Sequence, residues 1–99
     1  MASYQILYWE DIPLQVRARD ERARVSLLLS ERFQAAVDQV AMLAGLTDND
    51  AYTERFHWTD PQELPGTADE VARLVLADLE SRYQTIDWRK TAAALKYDR

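Results

Sequence analysis

A chain of 99 residues suits one domain and no more, and a formal net charge of −5 sets that domain against a phosphate backbone. With no cysteine and a single histidine, it has no material for a disulfide or a structural zinc site, and neither a metal nor a cofactor is expected. The longest unbroken apolar run, Val40 to Ala44, is far too short to span a bilayer, and "MASYQILYWED" has no basic n-region; no membrane segment and no signal peptide are expected, and a cytoplasmic location is.

Tyr4 to Trp9 reads as a strand, with Tyr4, Ile6 and Tyr8 on one face and Gln5, Leu7 and Trp9 on the other. Glu10-Asp11-Ile12-Pro13 breaks it, since Pro13 has no N–H for a ladder. "LQVRARD" alternates strictly, Leu14, Val16 and Ala18 against Gln15, Arg17 and Arg19, which predicts a strand with one wet face. A polar turn at Asp20 to Ala23 leads to a third strand carrying Val25, Leu27 and Leu29. Three strands with short connections predict an antiparallel meander.

Ser30 is placed to cap a helix that starts at Glu31. Its buried stripe is Phe33, Val37, Val40, Ala41 and Ala44, and Gly45 ends it in a left-handed conformation followed by an apolar contact from Leu46. Thr47 to Asp50 is a polar loop. "AYTERFHWTD" fits a strand, with Tyr52, Phe56 and Trp58 on one face, better than a helix, because aromatics and threonine favour sheets. "PQELPG" reads as a loop. Thr67 to Glu70 is a capping box, and the helix it opens has a stripe of Val71, Leu74, Val75, Leu79 and Tyr83. Residues 84–99 read as a helical tail with Trp88, Ala92 and Leu95 on one side.

The expected architecture is therefore α+β. A single domain over 1–99 would hold a four-stranded sheet in the order β-β-β-α-β-α, with the helices packed on one face as a two-layer sandwich. A right-handed crossover from the third strand through the first helix would make that sheet mixed.

Two blocks carry a resemblance. "YWEDIPLQV" matches a Trp-x-Asp-Ile-Pro-x-Gln-Val corner at Trp9, Asp11, Ile12, Pro13, Gln15 and Val16. "LSERFQAAVDQVAMLAGLTDNDAY" matches a Leu-Ser-Glu-Arg-Phe-Gln helix with Ala-Met-x-Ala-Gly and a closing Asp-Ala-Tyr; Val37 stands where the pattern has isoleucine. Over about residues 4–58 the chain resembles the small bacterial virulence-factor domain, which stands alone or accompanies a repeat region in conserved virulence factor C. The resemblance carries no catalytic residues with it. It implies an accessory domain appended to a larger protein. Its alternative implication is a small-ligand-binding or enzymatic subunit linked to one-carbon and methyl-transfer metabolism.

Three places invite a functional reading. The corner holds a flat aromatic, Trp9, and a carboxylate, Asp11, with Arg17 nearby; as structure, Trp9 is a lid on the sheet edge and Asp11 accepts turn N–H groups. Glu31 and Arg32 point outward from a helix start, either as a solvated first turn or as an anion or partner site. Trp58 joins Trp9 and Trp88 in an aromatic surplus of the kind that anchors interfaces. His57 lacks a nucleophile or second histidine to work with, Asp48 to Glu54 lacks the glycine and final acid of a calcium loop, and no glycine-rich phosphate loop exists. The expected function is thus a non-enzymatic module that docks on another protein or enzyme subunit, or on a second copy of itself, with no nucleic acid and no membrane partner.

Overall fold

The computed structural model describes residues 1–45 and 49–97. The strands are β1 (Ala2–Trp9), β2 (Ile12–Arg19), β3 (Arg24–Leu28), β4 (Phe56–Trp58) and β5 (Gln62–Leu64). The helices are α1 (Glu31–Leu43), α2 (Asn49–Thr53), α3 (Ala68–Arg82) and α4 (Trp88–Tyr97). The expected contact of Leu46, the loop at Thr47 and Asp48, and the side chain of Leu95 lie outside the described residues.

The meander is present: β1 pairs β2 and β2 pairs β3, both antiparallel. The expected parallel crossover is not. β4 pairs antiparallel with β1, on the side away from β3, so the sheet order is β3-β2-β1-β4 and no pair among the described residues is parallel. The sheet also has five strands rather than four. Gln62–Leu64, inside the proline-rich stretch read as a loop, pairs with Ala2 to Tyr4. Pro61 and Pro65 flank this three-residue strand without entering it, so they cost it no ladder bond.

Residues 51–59 are not one strand. The chain is helical to Thr53 and extended only from Phe56 to Trp58. Sheet propensity loses here to packing, because Tyr52 reaches Trp9 and Phe56 from the helical turn, with ring centroids 5.6 and 5.4 Å away.

The β1–β2 turn is short. Trp9 pairs with Ile12, leaving only Glu10 and Asp11 to turn the chain. Glu10 has φ 55°, a conformation that costs an L-residue about 1–2 kcal/mol. Arg55 holds it there: the Glu10 N–H donates to the Arg55 carbonyl at 3.1 Å, and Arg55 Nη1 lies 2.8 Å from Glu10 Oε1. β1 ends at Trp9 as expected, and Pro13 sits within β2. Leu7 faces Gln15 while Tyr8 faces Pro13, so Leu14 is the extra residue of a bulge, where the ladder is already interrupted.

α3 packs across β1, β2 and β3, and α1 packs on β2 and against α4. The core between these layers takes Leu14, Val16 and Ala18 from β2 and Phe33, Val37, Val40 and Ala41 from α1. α3 contributes Ala68, Val71, Ala72, Val75 and Leu79. Leu74, expected in that stripe, is 61% exposed. At about 100° per residue it falls outside the arc that Ala68 to Leu79 turn toward the sheet.

Helix ends are held in two ways. The capping box is complete: Glu70 N–H donates to Thr67 Oγ1, and Thr67 N–H donates to Glu70 Oε1. The next free donor, the Ala68 N–H, reaches Asp20 Oδ2 at 2.8 Å. Asp20 also accepts the Arg22 and Ala23 N–H groups. These three backbone donors, Ala68 first, hold its carboxyl below the usual aspartate range. Gly45 has φ 72°, the left-handed end expected for α1. Phe33 is 1% exposed and meets Tyr83 edge-on at 6.1 Å. Phe33→Ala should cost about 3–5 kcal/mol in urea-induced unfolding; a loss below about 1 kcal/mol would show that the α1 stripe is not the core.

Candidate functional site

The second face of the sheet is left uncovered by α1 and α3. Register places its side chains in three rows across the strands. Arg24, Arg19, Ser3 and Glu63 form one row; Ser26, Arg17 and Gln5 the next; Leu28, Gln15, Leu7 and Trp58 the third. The alternation Gln15-Arg17-Arg19 of β2 supplies its centre, the wet face expected from the sequence. A concavity of about 500 Å³ opens on this face.

Arg17 and Trp58 meet there. The guanidinium carbon of Arg17 sits 3.8 Å from the Trp58 ring centroid, a cation–π stack on a half-buried indole. Arg17 Nε donates to Gln5 Oε1 at 3.0 Å, and Gln5 Nε2 donates to the Thr59 carbonyl at 2.9 Å. Thr59 is fixed in turn by its hydroxyl and N–H, which bond the Ile6 backbone at 2.9 Å each. The stack is therefore preset by the β1–β4 junction. Gln15 donates to Ser26 Oγ beside it. Of the lining residues, Gln5, Gln15, Arg19, Arg24 and Ser26 were not singled out in the sequence. The signal was available: they fall on the face of Arg17 once the two hairpin registers are drawn.

Of the other expected site residues, Trp9, Asp11 and Arg32 serve the fold. Trp9 is completely buried. Strict alternation places it with Gln5 and Leu7, but Tyr52 covers its ring and its Nε1 donates to the Tyr52 carbonyl at 2.9 Å. It is not an anchor offered to a partner. Asp11 Oδ1 accepts from Thr91 Oγ1 at 2.7 Å, fastening the hairpin tip to α4 rather than accepting turn N–H groups. Glu31 is exposed on the first turn of α1.

Arg32 spends its donors inside the protein. Nη1 bonds Ser30 Oγ at 2.7 Å and lies 3.2 Å from Glu80 Oε2; Nη2 bonds the Glu80 carbonyl, and Nη2 and Nε both reach the Tyr83 carbonyl. This satisfies carbonyls at the end of α3. Ser30 occupies the N-cap position with extended φ and ψ, but makes no capping bond. Its hydroxyl and N–H go to Glu80 instead, at 2.7 and 2.8 Å. An anion site at this helix start has no donor left on Arg32 to serve it.

Partial burial alone would raise the Glu80 carboxyl; the Ser30 hydrogen bonds and the Arg32 charge outweigh it and hold Glu80 below the usual range. Among the described residues, no group of three or more His, Asp or Glu is placed to hold a metal ion. His57 stacks on Tyr8 at 5.8 Å. No helix among the described residues is long and apolar enough to cross a membrane.

Two outcomes test these assignments. Trp9→Ala should destabilise the domain by about 3–5 kcal/mol, the cost of emptying a core indole, whereas an exposed anchor would leave the melting temperature unchanged. Glu80 has a lowered folded-state pKa, so its contribution is complete above the unfolded value of about 4.5 and is lost as pH falls through the folded value. Glu80→Gln should therefore be less stable than the native chain at neutral pH. The two unfolding curves should converge below the folded-state pKa; a constant gap across that range would exclude the Ser30–Glu80–Arg32 latch.

A family model described as "Virulence factor" matches residues 7–90, which take in the hairpin, α1, the Trp58 strand and α3. No curated protein and no solved structure matches the chain. The match covers most of the chain and extends the resemblance well past residue 58: this protein belongs to the virulence factor family.

Proposed function

We propose that the domain is a non-enzymatic accessory module that docks on a larger protein through the open face of its sheet. The observation that carries this reading is the Arg17–Trp58 stack, held in place by Gln5 and Thr59 on the part of the sheet that α1 and α3 leave open. A preset arginine–tryptophan pair combines the residue types that dominate binding energy at interfaces, and ordering it beforehand lowers the entropy cost of association. The concavity around it is lined by amides, hydroxyls and guanidinium groups, and lacks a carboxylate, histidine or thiol that could act as a base. That chemistry favours recognition over the enzymatic alternative. Of the six residues singled out in the sequence, Arg17 and Trp58 remain as contact residues.

A photo-crosslinking residue placed at Ser26, on the open face, should capture one specific protein in the native host, and the same probe at Ala77 on the outer side of α3 should not. Trp58→Ala should weaken the interaction with the captured protein by about 2 kcal/mol while the domain stays folded. Capture through Ala77 alone, or native affinity in the Trp58 variant, would end this reading.

A further inference from the structure

We propose that the open face takes an acidic peptide segment of its partner in extended conformation, with carboxylates seated on Arg17, Arg19 and Arg24. The proposal deepens the docking reading above and rests on it. The first observation is local charge. The chain carries a net charge of −5, yet the concavity is lined by three arginines and no carboxylate. Glu63 lies at the far end of the outer row, beyond Ser3; Asp20 and Glu21 stand in the β2–β3 turn beside Arg19 and Arg24 but line a separate concavity, where Asp20 accepts the Arg22, Ala23 and Ala68 N–H groups.

The second observation is a like-charge pair. Arg19 lies directly opposite Arg24 across β2 and β3. Opposed like charges destabilise a sheet. Among the described residues, no carboxylate forms an ion pair with Arg19 or Arg24, although four other arginines have such a partner. The fold leaves this repulsion in place, and a bound anion would relieve it.

The third observation is spacing. Arg17 and Arg19 alternate along one face of β2, so they repeat at about 6.6–6.8 Å. An extended peptide with acids at every second position presents carboxylates at the same repeat. Its intervening side chains would point away, and its end could reach the Trp58 ring. Guanidinium groups pair with carboxylates through two parallel hydrogen bonds, which gives the contact direction as well as attraction. Arg17 already donates Nε to Gln5, which leaves its terminal nitrogens for the ligand.

The test uses the whole chain and a fluorescein-labelled eight-residue peptide that alternates glutamate with threonine. The control replaces each glutamate with glutamine. Anisotropy should show the glutamate peptide binding at least about tenfold more tightly than the control, with affinity falling as salt rises. Arg19→Gln and Arg24→Gln should each weaken it roughly five- to tenfold. Both variants should melt no lower than the native chain, since each removes a repulsion; a lower melting temperature would mean the arginines serve the fold and would overturn the proposal. Amide shifts in NMR spectra should move at Gln15, Arg17 and Ser26.

Other results sort the failures. Equal binding of both peptides on the open face would overturn the acidic ligand and leave the docking reading standing. Binding of neither would overturn the acidic ligand too, while the Ser26 cross-link judges docking separately. If inorganic phosphate at equal concentration displaced the peptide and moved the same amides, the face would be a small-anion site and the peptide proposal would fall. If sedimentation showed self-association that Arg19→Gln with Arg24→Gln abolished, the occupant would be a second copy of this chain, and the proposal would equally fall.

Discussion

The arrangement depends on one buried indole. Trp9 stands at the tip of the first hairpin with no solvent exposure, and its N–H has to be satisfied from within. The carbonyl of Tyr52 does this. The bond fixes α2 against the hairpin tip, and the chain leaving α2 has only Glu54 and Arg55 before it becomes strand. Arg55 binds both the backbone and the carboxylate of Glu10, so β4 begins directly opposite Trp9. From that starting point β4 can run only back along β1, antiparallel. Two residues later it delivers Trp58 beside Leu7, within reach of Arg17. The absence of a parallel crossover and the presence of the Arg17–Trp58 stack thus share one cause.

Local rules were readable in the sequence wherever a residue interacts with near neighbours. The alternation of Leu14, Val16 and Ala18, the α1 stripe, the Asp20 turn and the Thr67–Glu70 box all involve contacts that period or spacing encodes. The failures involve partners distant in the chain. Tyr52 reads as a strand residue by propensity, and its contact with Trp9, 43 positions away, helps hold it in a helical turn. Gln62–Leu64 has no strand signature of its own and is extended because β1 offers it an edge. Leu74 shows how a stripe drawn from spacing alone runs wider than the arc a flat sheet can cover.

The site divides along the same line. Arg17 and Trp58 could each be suspected from residue type, but their meeting depends on where β4 lands. Trp9, Asp11 and Arg32 looked like recognition residues because tryptophan, aspartate and arginine at turns and helix starts often are. Each instead closes a gap in the fold: a core, a hairpin-to-helix tie, and the end of α3. An arginine whose five donors all face protein oxygens is a structural residue however polar its surroundings. By the same accounting, the terminal donors of Arg17 meet no acceptor among the described residues, and that difference separates the two arginines better than their exposure does.

The bond from Asp20 to the Ala68 N–H has a consequence for how the molecule assembles. The capping box serves the donors at Thr67 and Glu70 with residues at most three positions apart, so α3 can begin before anything docks on it. The Ala68 donor depends on a carboxylate 48 positions earlier, at the β2–β3 turn. That bond forms only when helix and sheet are already in place. It then acts as an index mark. A slip of one residue along α3 would carry the donor about 1.5 Å along the axis and about 100° around it, away from Asp20. The apolar stripe brings α3 to the sheet but tolerates small rotations, since hydrophobic contact has no direction. The carboxylate selects one of those rotations and so sets the phase in which α3 is locked on the sheet.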